Sequence, residues 1–111
     1  MKKQVYAYSE VINIDEDYIS KINEISEYAL DNNLEIIKVF QDETNGRRDI
    51  IIERLDQILN EMIDSGIDEL LIFDFSIISR NIDVVLSVIN LYRENEKCIT
   101  PVFRNRKNLL N

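Results

Sequence analysis

Three short stretches carry most of the residues able to do chemistry: Tyr8-Ser9-Glu10, Gln41-Asp42-Glu43 and Asp74-Phe75-Ser76, the last followed by Ser79-Arg80. The chain has no histidine. That removes imidazole general-base catalysis and histidine metal ligation. If Glu10, Asp42 or Glu43, and Asp74 converged, their oxygens would suit Mg²⁺. Against this stands the plainer reading of the same acids as solvated loop residues, helix caps, or partners of Arg47 and Arg80, because spacing alone does not fix convergence. No metal and no cofactor is therefore expected. Ser9, Ser76 and Ser79 are hydroxyl nucleophiles in type, but a serine is inert until a base or cation activates it. As turn and cap residues they need no such partner, and Ser79 before Arg80-Asn81 reads as part of a helix N-terminus.

These stretches fall at the ends of apolar runs that read as strands. Val5–Tyr8, Leu34–Phe40, Leu70–Phe73 and Ile99–Phe103 are short and rich in β-branched, aromatic or other apolar residues. Between them lie helical patterns. One runs from Asp15 to about Asn32, with Ile19, Ile22, Ile25, Ala29 and Leu30 on one face. A second ends near Ser65 and Gly66, with Leu55, Ile58, Leu59, Met62 and Ile63 at helical spacing. A third spans Asn81 to about Glu94, with Ile82, Val85, Ile89 and Tyr92 aligned. The order βαβαβαβ predicts an α/β three-layer sandwich, a mostly parallel four-stranded sheet covered by helices on both faces. Val5–Tyr8 and Leu70–Phe73 should be central. In such sheets the working site gathers at the carboxyl ends of the strands, where the three stretches lie. A response-regulator receiver has this architecture too, but the paired acids after its first strand and the lysine on its last are not evident here.

At 111 residues with 45% hydrophobic side chains, the chain suits one domain spanning 1–111 with a sizeable core. The single cysteine, Cys98, excludes an internal disulfide and fits a reducing compartment. In the run Cys98-Ile99-Thr100 it reads as a small buried hydrophobe. No segment resembles a signal peptide or a membrane span, so a cytoplasmic location is expected. Charge is uneven. Glu10 to Glu69 carries 17 acids against 5 bases, net −12, whereas Arg93 to Asn111 carries 5 bases against 2 acids, net +3. Only the C-terminal end would attract a phosphate backbone.

The segment Ile67-Asp68-Glu69-Leu70-Leu71-Ile72-Phe73-Asp74-Phe75-Ser76-Ile77-Ile78-Ser79-Arg80-Asn81 resembles the resolvase/invertase serine recombinases, in which an apolar strand leads into Asp-Leu-Ser/Asp-Arg-Leu-Ser-Arg-Asn. Glu27-Tyr28-Ala29 through Asn33-Leu34-Glu35-Ile36-Ile37 resembles the family's Tyr-Ala, Asn-Gly, strand sequence. Phe40-Gln41-Asp42-Glu43 and Gly46 resemble its Phe-x-Asp-Glu and Ser-Gly loop. The likeness covers nearly the whole chain and implies the resolvase catalytic-domain fold. It also implies a cleft at Tyr8, Glu10, Asp42, Asp74, Ser76, Ser79 and Arg80.

The family's chemistry does not carry over with the pattern. Its opening Tyr-x-Arg-Val-Ser supplies the serine that attacks a DNA phosphate. Here that stretch is Tyr8-Ser9-Glu10-Val11-Ile12, so the nucleophile position is Ile12 and an arginine position is Glu10. Two further arginine positions fall at Ile52 and Ile77, Arg80 remains, and a glutamine of the first helix falls near Lys21. The resemblance further implies that the dimerising helix and DNA-binding region of the family are lacking after Asn111. The expectation is a pseudoenzyme, a recombinase-derived regulatory or binding protein of a mobile element or phage. It would act on a protein partner, with weak or no DNA binding, no membrane association, and homodimerisation open. Two alternatives stand beside it. One is residual phosphoryl transfer, or a Mg²⁺-dependent activity. The other is a small-anion sensor using Arg47, Arg48 or Arg80 in the vacated cleft.

Overall fold

The computed structural model describes residues 2–11, 16–43 and 47–103. Strand β1 (Lys3–Val11) is followed by helix α1 (Glu16–Asp31), β2 (Leu34–Glu43), α2 (Arg48–Ser65), β3 (Glu69–Ile72), a 3₁₀ turn at Phe75–Ile77, α3 (Ile82–Glu94) and β4 (Cys98–Pro101). The strands form one sheet in the order β2-β1-β3-β4, and every pair is parallel. β1 and β3 are therefore the central strands, as the continuously apolar runs Val5–Tyr8 and Leu70–Ile72 require. The path from β1 goes first to β2 on one side and then to β3 on the other. This makes the β1/β3 boundary the topological switch point, where open α/β sheets place their sites.

Alternation along the strands builds two cores. Tyr6, Tyr8, Phe40, Leu70, Ile72 and Ile99 face α2 and α3. Val5, Ala7 and Leu71 face α1, together with Ile25, Ala29 and Val102. The result is the expected three layers. Across the larger core, Tyr92 Oη of α3 donates to the Leu55 carbonyl of α2 at 2.6 Å, tying two helices through a buried bond.

The turn chemistry matches the sequence. Asn33 adopts φ 56° after α1, and Gly66 adopts φ 71° at the end of α2, where its N–H bonds the Met62 carbonyl. A Cβ on Gly66 would meet nothing within 4 Å, so only backbone strain opposes one. Gly66→Ala is expected to cost about 1 kcal/mol in a urea titration. An unchanged midpoint would mean that the helix end relaxes out of the left-handed conformation.

Several sequence expectations are corrected. β1 and β2 extend further toward their carboxyl ends than the apolar runs, because polar residues there still pair across the ladder through Val11↔Glu43. β3 ends at Ile72 rather than Phe73, and β4 begins at Cys98 and ends at Pro101 rather than running from Ile99 to Phe103. Cys98 is exposed, not buried. Strand alternation turns Ile99 inward and leaves Cys98 outside. Ile19, Leu30, Ile63 and Ile82 are exposed although they lie at helical spacing, while Ile51 is buried. Each exposed one sits on the flank of its helix's apolar stripe, or at its first turn, beyond the reach of the sheet.

Candidate functional site

The carboxyl edge of the sheet divides the expected residues into three groups. The first lies after β3. Asp74, Phe75, Ser76, Ser79, Arg80, Ile82 and Val85 line an open cleft of about 530 Å³. Ser76 Oγ donates to Asp74 Oδ2 at 3.1 Å. Ser79 Oγ accepts from the Asn81 N–H at 3.0 Å, and Asn81 Oδ1 accepts from the Asp83 N–H at 2.9 Å, so Asn81 is the cap of α3 and Ser79 supports it. Arg48, from the first turn of α2, donates to the Ser76 carbonyl at 3.1 Å and fixes the 3₁₀ turn from outside.

The second group is Tyr8, Asp42 and Arg54. Register places Tyr8 opposite Phe40, one step before the Ser9–Gln41 and Glu10–Asp42 pairs. Tyr8 is wholly buried and, among the described residues, its hydroxyl makes no hydrogen bond. Burial, and then the charge of Asp42, push its phenol well above the usual value. The Asp42 carboxylate is held by Arg54 Nε at 3.2 Å, and the Arg54 guanidinium lies 5.2 Å from the centre of the Phe40 ring. Arg54 is thus fixed by a carboxylate and an aromatic face at once.

The third group is Glu10 with Lys21. Their side chains are largely withdrawn from solvent, with Nζ 3.9 Å from Oε1, and Lys21 also sits 5.6 Å from the centre of the Phe73 ring. The ammonium offsets the carboxylate that occupies the arginine position of the resemblance.

The structure therefore brings Asp74, Ser76, Ser79 and Arg80 together, places Tyr8 with Asp42, and gives Glu10 its own partner. Of the other positions singled out by the resemblance, Ile77 is buried in the main core, Ile52 is exposed on α2, and Ile12 lies outside the described residues. Gly46 also lies outside them. Among the described residues no three histidine, cysteine, aspartate or glutamate side chains are grouped to hold a metal ion. Sequence reading missed Arg54 and the bond that Arg48 makes. The only signal for Arg54 was a cation directly beside Leu55, a core position on the same helix.

No protein-family model matches the chain, and no curated protein matches it in sequence. Solved structures match in fold. The C-terminal catalytic domain of ISC1926 TnpA, an IS607-like serine recombinase, superposes with a TM-score of 0.66 at 18% identity, over 89% of this chain and 68% of that one. The N-terminal catalytic domain of TP901-1 integrase gives 0.70 at 15% identity, over 90% and 78%. A resolvase family site-specific recombinase from Streptococcus pneumoniae gives 0.70 at 21% identity, over 91% and 72%. With its four-stranded all-parallel sheet and covering helices, this chain has the fold of the serine recombinase catalytic domain.

Proposed function

We propose that this chain is a non-catalytic binding protein of the serine recombinase fold, acting in the cytoplasm on a protein partner of a mobile element or phage. The observation that carries the reading is the direction of the cations at the carboxyl edge. Lys21 is turned on Glu10, Arg54 on Asp42, and Arg48 on the Ser76 carbonyl. Phosphoryl transfer needs such groups aimed at phosphate oxygens, and each lost donor costs roughly 3 kcal/mol of transition-state stabilisation. The Glu10 carboxylate adds repulsion on the same edge, and Ile12 has no nucleophilic atom. The net charge of −8 also opposes duplex DNA, whose binding depends on counterion release by Lys and Arg. A basic protein surface would instead be drawn to the acidic stretch from Glu10 to Glu69.

The test is incubation with supercoiled DNA followed by denaturing electrophoresis, with binding followed at about 150 mM salt. No covalent protein–DNA adduct is expected from the unmodified chain or from Ile12→Ser alone, because Lys21, Arg48 and Arg54 remain turned on the protein and only Arg80 faces the cleft. A trapped phosphoseryl adduct, or tight salt-resistant duplex binding, would overturn the reading.

A further inference from the structure

The two edges of the sheet are unlike. β4 is four residues long and ends in Pro101, which has no N–H to offer a further strand. β2 is ten residues long and pairs only with β1, leaving one side of its backbone open. Ile37 and Val39 on it are 43% and 45% exposed. Unpaired edges of this length template pairing with another chain unless something blocks them.

Helix α1 continues this surface. Its Lys21 and Tyr28 face the β3–β4 side, the first over Phe73 and the second within the field of Glu69. Ile25 and Ala29 point down into the core. The flank toward β2 then carries Ile19, Asn23, Ser26 and Leu30, which fall within one narrow stripe at 100° per residue. Ile19 and Leu30 are 54% and 69% exposed. The stripe is free of charge on a helix holding five acids besides, Glu16, Asp17, Glu24, Glu27 and Asp31.

The faces of β2 read alike in both directions. Leu34 and Ile36 pack toward α1, while Lys38 and Phe40 face α2, where Lys38 Nζ meets Glu61 at 2.6 Å. Between them the register jumps from Val5↔Ile36 to Tyr6↔Lys38, leaving Ile37 as an extra residue. By alternation Glu35 faces the α2 side and Val39 the α1 side. A second β2 running antiparallel, about a twofold between Ile36 and Ile37, sets Glu35 opposite Lys38 of the second copy and Leu34 opposite its Val39. Opposite charges meet on one face and apolar groups on the other, in both halves.

We propose that the α1–β2 flank binds a second copy of this chain, joining two sheets through β2 and bringing the two α1 stripes together. The proposal is independent of the partner-binding reading above. Two chains of net −8 repel, so added salt should tighten this dimer by screening, whereas salt weakens contact with a basic partner.

Sedimentation velocity on the full chain, from micromolar to submillimolar concentration and at low and high salt, should show a concentration-dependent dimer that salt favours. Val39→Lys should raise the dissociation constant about tenfold or more while circular dichroism stays unchanged. Glu35→Lys and Lys38→Glu should each weaken the dimer by setting like charges opposite. The double variant Glu35→Lys/Lys38→Glu should return it to within a fewfold of the parent. A monomer throughout, a dimer indifferent to Val39→Lys, or a double variant no better than the singles would each overturn the proposal.

Discussion

Above about pH 10 the protein should lose stability steeply, by up to roughly 3 kcal/mol per pH unit. The cause is two phenols, Tyr8 and Tyr92, both fully buried. Burial raises both pKa values well above the ordinary phenol range. For Tyr8 the charge of Asp42 adds to it, and for Tyr92 that of Asp56. The sign follows from proton counting. Below about pH 10 both states hold the proton and nothing is lost. Above it the unfolded phenols ionise while the folded ones stay neutral, so the unfolded state binds fewer protons and stability falls with pH. Each tyrosine contributes roughly 1.4 kcal/mol per unit until the folded pKa is reached. Over one and a half units that approaches about 4 kcal/mol, much of the stability of a domain this size. Tyr28, partly buried near Glu69, shifts in the same direction and adds a smaller share.

Urea unfolding at intervals from pH 8 to pH 11.5 would measure the slope, at about one half-unit per step. Tyr92→Phe should halve it, but at neutral pH it gives up the bond to the Leu55 carbonyl, worth about 1 kcal/mol. The two stability curves should therefore cross in the alkaline range. Tyr8→Phe should also halve the slope with less loss at neutral pH, since the Tyr8 hydroxyl makes no hydrogen bond among the described residues. A slope untouched by either substitution would mean that other groups govern alkaline unfolding.

The fold was legible in the sequence because each element states its period. Leu70-Leu71-Ile72 has no polar face and belongs to a strand covered on both sides, which is where β3 lies. Gly66 and Asn33 mark helix ends through the left-handed conformation they adopt. The grouping of Asp74, Ser76, Ser79 and Arg80 was legible too, since all four fall within seven residues of chain at one strand end. The ion pairs were not. Glu10 meets Lys21 of α1, and Asp42 meets Arg54 of α2. Nothing in sequence spacing says which cation an acid will find once strands and helices are packed. The same applies to Cys98, whose neighbours are apolar but whose strand position turns it outward.

Helix α2 gives the sharpest contrast between period and packing, in the expected effects of Ile51→Ala and Ile63→Ala. Helical spacing joins Ile63 to Leu55, Ile58, Leu59 and Met62, yet Ile63 is exposed and Ile51, one turn before Leu55, is buried. The sheet lies under the stripe Ile51, Leu55, Ile58, Leu59 and Met62 along the whole helix, and Ile63, 100° further round the helix from Met62, falls to the side of that stripe where nothing covers it. Removing three carbons from Ile51 leaves a cavity against Leu55 and the buried tyrosine side of the sheet. That should cost about 3 kcal/mol and lower the melting temperature by roughly 10 °C or more. Ile63→Ala should stay within about 0.5 kcal/mol, because it vacates no enclosed space. Ile52, next in the chain to Ile51, is 37% exposed and should tolerate arginine with an effect within about 1 kcal/mol, since the longer side chain can reach solvent along the open flank. Thermal and urea unfolding of the three variants decide the point. Equal losses at Ile51 and Ile63 would mean that α2 is rotated about its axis from the position described, and the Arg54–Asp42 pair would have to move with it.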